Sequence, residues 1–566
     1  MDRIWLKSYP PGVPAQIDPG KLRSLRDLIE HSCAQHARSV AYVQLGRSLT
    51  YRDLERLSRH FAAWLQKSAG LTKGDRFAIM LPNVLQYPIA MFGALRSGLV
   101  VVNTNPLYTP AELEHQLNDS GATAILVLEN FAHVVAKVLP RTKLRHVLVT
   151  AAGDFLGFPK SALVNFVVRH RRKQVPPWHI DRVVDFKSVI SLGKRLRFEP
   201  VQIEPEDLAY LQYTGGTTGV AKGAMLTHGN ICANIQQAEA WVGPQFAHTP
   251  ATLVTPIPLY HIFALTANCL LFVRLGWKNV LIINPRDFPA VIRELKQHPF
   301  DFITGVNTLF NALLHTPGFD RVDFSRLKIT LGGGMAVQAS VASHWKKVTG
   351  KNLTQAWGLT ETSPAACINP PEEAFNGSIG LPIPSTDISI KNDDGNDVDL
   401  GQVGEICVRG PQVMPGYWNR PEETAKVMLP DGWLRTGDIG RMNERGYVFI
   451  EDRKKDMILV SGFNVYPNEV EAVAATHAGV LEAAAVAQPD EHSGEVVALF
   501  VVRKDPALTE RALIDHCRES LAAYKVPKHI YFRTDLPKTN VGKILRKALR
   551  EELVKPSSVA GHGFVG

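Results

Sequence analysis

From Tyr51 to about Thr150 the chain alternates stretches of helical apolar spacing with short, compact apolar runs. YRDLERLSRHFAAWLQKSA predicts a helix with one buried face, while RFAIMLP, GLVVVNTN, TAILVL and HVLVT are short enough for buried strands. Such alternation predicts βαβ units on a largely parallel sheet. A second series follows Leu208, with NVLIIN, FDFITGV, LKITLGGG and LTQAWG as strands. GEICVRG and YVFIED alternate with the period of two of half-exposed strands and predict a small β-rich subdomain. After the charged stretch DRKKD a new βαβ-like pattern begins, which predicts a separate carboxy-terminal domain of about a hundred residues. The expected fold is therefore α/β: a large amino-terminal domain of mixed and parallel sheets flanked by helices (1–452), a join at 453–456, and a smaller α+β domain (457–566).

A length of 566 residues agrees with division into domains, since one core stops growing at roughly 250 to 300 residues. Hydrophobic residues at 45% and charged residues at 21% fit a globular protein. The net charge of +9 favours anionic partners only weakly over this length, and no basic run interleaved with aromatics appears, so nucleic acid is not an expected partner. Six dispersed cysteines without a CxxC pair predict neither disulfides nor a zinc site. The opening MDRIWLKSYPPGVPAQIDPG has no apolar core of a secretory signal, so export is not expected. Thr252 to Val273 is the most apolar stretch, but Pro256, Pro258, His261 and Asn268 interrupt it, and a buried core segment is the expectation.

The strongest chemical feature is YTGGTTGVAKG, Tyr213 to Gly223, after the apolar LAYLQ and before MLTHGNICANIQQAEAW, which is read as helical. Gly215, Gly216 and Gly219 permit close backbone approach to an anion, Thr214, Thr217 and Thr218 add hydroxyl donors, and Lys222 adds a point charge. This composition predicts a phosphate cradle, although the spacing is not that of a Walker loop and a structural glycine turn has the same appearance.

The segment resembles the phosphate loop of the adenylate-forming superfamily of acyl-CoA synthetases, luciferases and peptide-synthetase adenylation domains, and further segments match in the same order. In WGLTETSP the resemblance implies Trp357 and Gly358 at the adenine, Thr360 near the α-phosphate, and Glu361 with Thr214 on Mg²⁺. Most members carry Tyr where this chain has Trp357. Gly334, ending a glycine run, is implied to face the nucleotide. GWLRTGDIG supplies Asp438 for both ribose hydroxyls, DRKKD supplies Arg453 as a second ribose contact and Lys455 as a hinge, and LPKTNVGKILR supplies Lys543 for the attacking carboxylate. Gly462 is implied to line the pantetheine channel, and His261 in PLYHIFAL to gate the acid pocket, with Phe263, Leu265, Val306 and Phe310 as acyl-pocket candidates.

The stretch from GWLRTGDIG to VSGFNVYPNEVE is similar to bacterial long-chain fatty-acyl-CoA synthetases. The resemblance implies a mobile carboxy-terminal domain and a ligase that joins a fatty acid to CoA through an acyl-adenylate, with Mg²⁺ as cofactor and ATP and CoA as cosubstrates. A CoA ligase for medium-chain or aromatic acids, or a silent acyl-binding membrane adaptor of the same fold, are the alternatives. Phe155 to Trp178 places apolar residues before Arg169, His170, Arg171, Arg172 and Lys173, which fits either contact with an anionic membrane or a solvated loop. A cytoplasmic location is expected, with peripheral contact at the inner membrane and a homodimer left open.

Overall fold

The computed structural model describes residues 3–214, 221–242, 250–490, 492–539 and 541–554, and all structural statements concern these residues. Two large sheets form the amino-terminal domain. In the seven-stranded sheet, Arg76–Met80, Val100–Asn103, Ala124–Leu128 and His146–Thr150 pair in parallel, as their continuous apolar runs predict. The helix Tyr51–Lys67 begins at a reciprocal capping box between Thr50 and Asp53 and buries Leu54, Leu57, Phe61 and Leu65 against this body.

The nine-stranded sheet carries a parallel core of Lys278–Leu281, Thr252–Thr255, Phe302–Gly305, Ile329–Gly332 and Leu353–Gly358. Its parallel strands end together near Gly305, Gly332 and Gly358, the edge where open α/β sheets place ligands. The stretch 252–273 is interrupted as its prolines predict: a strand at Thr252–Thr255, a π-helical stretch Ala264–Leu270 and a short helix Leu271–Arg274. No helix among the described residues is long and apolar enough to cross a membrane.

One local reading needs correction. Lys222–Thr227 is a strand, antiparallel to Leu208–Thr214, and the helix starts only at His228. Thr227 stops the strand and opens the helix, because its Oγ1 accepts from the Asn230 N–H at 3.0 Å. The glycine-rich loop thus joins two strands of a hairpin. Gly215, Gly216, Thr217, Thr218 and Gly219 lie outside the described residues.

Asp387–Lys391, Gly404–Arg409, Leu434–Met442 and Val448–Arg453 form a four-stranded antiparallel sheet, the β-rich subdomain. The carboxy-terminal domain holds a five-stranded sheet in which Gly494–Arg503, the helix Glu510–Ser520 and His529–Arg533 form a true βαβ unit. All six cysteines are free and buried.

A buried ionic cluster ties this domain to the strand before it. The Arg546 guanidinium donates to Glu471 at 2.8 and 2.9 Å, to Asn468 at 2.7 Å and to Asp452 at 3.3 Å. Asp456 lies 3.7 Å from Arg546 and accepts from Arg550 at 2.8 Å. Removing one partner of such a cluster strands the others in a dry site. Arg546→Ala is expected to destabilise the carboxy-terminal domain by about 3–5 kcal/mol, read as a lower denaturant midpoint of its unfolding transition.

Candidate active site

The site is built at the carboxyl edge of the nine-stranded sheet. Gly333 continues from the strand Ile329–Gly332, with its N–H donating to the Gly305 carbonyl at 3.1 Å. Gly334 follows with φ +79°, a conformation that favours glycine. The strand Leu353–Gly358 ends at Gly358, where a Cβ would stand 1.8 Å from the Pro364 carbonyl oxygen, so no other residue fits this turn. The chain then bends through Thr360–Thr362, placing Glu361 in the cavity, where its carboxylate accepts from the Tyr417 hydroxyl at 2.7 Å.

Asp438 and Arg453 face each other across the antiparallel pair Leu434–Met442 and Val448–Arg453. The Asp438 side chain is 3% exposed, and its Oδ1 lies 3.2 Å from Arg453 Nε. Its Oδ2 accepts from the Trp357 indole N–H at 2.9 Å. Oδ1 is a buried oxygen without a hydrogen-bond partner, which fits an acceptor for a ligand hydroxyl. Where most relatives were expected to carry Tyr, Trp357 therefore supplies a donor that the stacking argument had not anticipated.

Lys543 reaches this edge from the carboxy-terminal domain. Gly542, at φ +85°, presents its carbonyl to the Thr308 hydroxyl at 2.9 Å, and the Lys543 N–H donates to Thr539 Oγ1 at 3.1 Å. A Cβ on Gly334 would stand 3.2 Å from Lys543 Cε, so the ammonium stem lies in a crevice that only glycine leaves open. Burial, reinforced by the nearby Arg453, pushes the Lys543 ammonium down to about 8. Burial and Lys543 in turn push His261 down to about 3, so its ring is neutral beside the cavity. Burial and Arg453 also lower Lys455, which lines the same space.

Other expected residues are placed less directly. Thr214, Thr360 and Lys222 line the cavity, but the Lys222 ammonium is paired with Glu423 at 2.6 Å and lies 5.0 Å above the Tyr417 ring. Lys222 and Lys426 together hold the Glu423 carboxyl down at about 2. Such half-exposed pairs are weak, so a polyphosphate can take over the lysine. Tyr213 turns its hydroxyl to Asp119 at 2.7 Å, an aspartate that Arg420 also engages, and so fastens the strand entering the glycine loop. Gly462 sits in an open turn between Ile458–Val460 and Phe463–Val465, with no atom within 4 Å of a built Cβ, and is not among the residues lining the cavity.

Tyr417, Asp119, Glu423 and Thr308 were missed by sequence reasoning. Tyr417 and Glu423 lie in GYWNRPEET, whose aromatic pair flanked by turn residues was the available signal; Asp119 and Thr308 left none.

These groups surround one cavity of about 1330 Å³. Its polar end holds Glu361, Arg453 and Lys543, with the Phe263 ring beside Gly333, and its other end is walled by Phe272, Trp277 and Phe302. Of the four acyl-pocket candidates only Phe263 lines it. Leu265 is fully buried in the core, Val306 is buried behind Gly334 and Gly542 without lining the cavity, and Phe310 packs on Trp345 at 4.8 Å between ring centroids. Mg²⁺ ordinarily takes one or two carboxylates plus substrate phosphates and waters rather than an all-protein cage. Glu361 with the Thr214 hydroxyl fits that pattern, and no cluster of three acidic, His or Cys ligands occurs among the described residues.

Comparison with known proteins agrees with this geometry. Residues 29–418 match the family described as AMP-binding enzyme, and residues 469–543 match the AMP-binding enzyme C-terminal domain. The chain belongs to the AMP-binding enzyme family. It is 55% identical over 553 residues to a long-chain-fatty-acid–CoA ligase of Escherichia coli O157:H7, covering 98% of each chain. It is 39% identical over 561 residues to one of Bacillus subtilis strain 168, covering 97% of this chain and 98% of the relative. To 4-coumarate–CoA ligase 1 of Solanum tuberosum it is 32% identical over 519 residues, covering 90% of this chain and 89% of the relative.

Among solved structures, the anthranilate CoA ligase AuaEII with anthranoyl-AMP superposes with a TM-score of 0.84 at 24% identity, over 95% of this chain and 99% of that one. MatB of Rhodopseudomonas palustris superposes at 0.80 with ATP bound and at 0.71 in its apo form, each at 25% identity and over 93% of this chain and 98% of that one. The present arrangement is thus nearer to the ATP-bound form of that protein.

Because kcat/KM reports the free enzyme, adenylation measured by pyrophosphate exchange is expected to be flat up to about pH 8 and to fall above it as Lys543 loses its proton. Arg453→Gln removes a neighbouring cation and is expected to move that descending limb to higher pH, read from the pH profiles of the two proteins.

Proposed function

We propose that this chain is an AMP-forming long-chain fatty acid:CoA ligase. The observation that carries the reading is that Glu361, Arg453 and Lys543, drawn from both domains, line one cavity whose far end is apolar and aromatic, with Asp438 paired to Arg453 at its edge. Such a cavity matches an acid with a polar head and a long tail.

In the first half-reaction Lys543 holds the fatty carboxylate against the α-phosphate. A carboxylate oxygen forms the new bond to phosphorus, the bond to the bridging oxygen breaks, and pyrophosphate leaves with the electron pair. Asp438 and Arg453 hold the ribose, Trp357, Gly358 and Gly334 border the adenine, and Thr360, Lys222 and the loop 215–219 take the phosphates. Glu361 and Thr214 would hold Mg²⁺, which would supply neutralisation of charge on the phosphate oxygens. His261, kept neutral, stands beside the reacting carboxyl as a gate without adding a competing charge. In the second half-reaction the CoA thiolate attacks the acyl carbonyl and AMP leaves.

The domain boundary is proposed at 453–456, with Lys455 as hinge. Lys543 lies in the site while Gly462 lies in an open turn, which is the arrangement expected before a rotation that exchanges them. Lys543→Ala is expected to lower acyl-AMP formation by about 10²-fold or more while leaving thioester formation from supplied acyl-AMP. Loss of neither half-reaction in separate assays removes the assignment. Medium-chain or aromatic acids are the competing substrates, and fatty-acid-dependent AMP release distinguishes any ligase from a silent acyl-binding protein.

A second reading concerns the membrane. Phe158, Leu163 and Phe166 are 92%, 63% and 60% exposed around the short helix Lys160–Phe166, beside exposed Arg171, Arg172 and Lys173. Arg169, in contrast, is held by Glu129 at 2.7 Å. This surface fits an anionic bilayer, with rings at the acyl boundary and cations at the headgroups. The full chain is expected to float with vesicles containing anionic lipid, and Phe158→Ser with Phe166→Ser to abolish flotation. Equal recovery of both proteins with the vesicles removes this reading.

A further inference from the structure

The apolar end of the cavity has a definite direction. The parallel strands Phe302–Gly305 and Ile329–Gly332 run from the aromatic wall toward the glycines beside Lys543, with Phe302 in register with Ile329 and Gly305 with Gly332. Three residue steps of strand span about 10 Å. The cavity therefore reaches from the carboxylate end to the amino-terminal ends of these strands, and both Phe302 and Ile329 line it there.

That far end is closed by three rings in mutual contact. Trp277 stacks on Phe302 with centroids 4.8 Å apart and planes at 28°. Phe272 meets Trp277 edge-on at 4.9 Å and Phe302 at 5.4 Å. All three are at least 95% buried, and all three line the cavity.

The wall is also fastened from behind. The buried Tyr51 hydroxyl shares its one proton between the Trp277 carbonyl at 2.8 Å and the Phe272 carbonyl at 3.1 Å, and the Trp277 N–H donates to the Phe272 carbonyl at 3.0 Å. Gly276 between them adopts φ +71°, and a Cβ there would strike the His36 ring at 2.4 Å. A turn tied at both carbonyls and backed by a ring does not swing aside as a lid would.

We propose that Phe272, Trp277 and Phe302 form a fixed end-stop that sets the longest acyl chain this protein adenylates. The proposal rests on the fatty-acid ligase reading. The terminal methyl of the preferred acid abuts the Trp277–Phe302 stack, and a longer acid has to withdraw its carboxylate from Lys543 or leave methylenes in water. Each methylene moved into or out of such a pocket changes kcat/KM by about fourfold.

The test is pyrophosphate exchange across saturated acids of graded length, with Trp277→Leu to deepen the pocket and Ile329→Phe to shorten it. The wild-type protein establishes the ligase reading by itself: exchange with no fatty acid of any length defeats that reading and this proposal together. Given wild-type activity, the ratio of kcat/KM for acids beyond the optimum to that for shorter acids is expected to rise at least about tenfold in Trp277→Leu, the worth of roughly two methylenes. In Ile329→Phe the optimum is expected to move to shorter acids. Unchanged length profiles in both variants, or an equal fractional loss for every acid, overturn the end-stop while leaving the ligase reading intact. Should Trp277→Leu not fold, the same ratio is read from Trp277→Phe and Ile329→Phe, whose profiles then decide the matter.

Discussion

One half-buried cation, shared between the two domains, is the contact on which the rest of the site depends. Lys543 belongs to the small domain, yet its stem lies against Gly334 of the large one, within the electrostatic reach of Glu361 and Asp438 and of Arg453 and Lys455. Stripping an ammonium of water is costly, and opposite charge in a dry site is what offsets it. The surroundings supply both signs, so the lysine is poised rather than locked. The Thr308 to Gly542 contact and the Arg546 cluster deliver the backbone that carries it. The placement of the small domain and the completeness of the polar half of the cavity are therefore one condition.

The two large sheets were legible because their strands are short continuous apolar runs and the helices between them keep strict apolar spacing. The hairpin strand Lys222–Thr227 was not, because its first residues read as the end of the glycine loop and Met225 to Thr227 read equally well as the start of a helix. The site was legible only through resemblance. Nothing in residue spacing brings Trp357 to Asp438, which is 81 positions away, or Arg169 to Glu129, which is 40 away. Apolar residues near the site in sequence proved poor guides to its lining. Val306 and Phe310 adjoin the strand Phe302–Gly305 but do not line the cavity, Val306 sitting behind Gly334 and Phe310 packing in the core, whereas Trp277 and Phe302, at the opposite end of their strands, do line it. Period and propensity assign a residue to an element; which of its sides meets a void depends on packing from the next layer.

The cavity divides its labour by chemistry. Its carboxyl-edge end is assembled from loops and strand termini of both domains, where backbone leaves room for nucleotide and charge can be concentrated. Its other end lies within one sheet and the helices packed on it, where side chains are fixed by their neighbours. The head-group end thus depends on how the two domains meet, whereas the apolar end depends on packing within one of them. The neutral His261 stands at the boundary, where a charged imidazole would repel the lysine and draw water toward the apolar section.

The indole donor to Asp438 carries one more implication. A carboxylate facing an empty pocket usually samples several rotamers, and an arriving sugar must wait for the right one. On the proposed reading, the ring assigned to the base also holds one oxygen of the carboxylate assigned to the sugar, so the direction of its second oxygen is fixed with it. A side chain held in this way has little freedom left to lose on capture of a ligand.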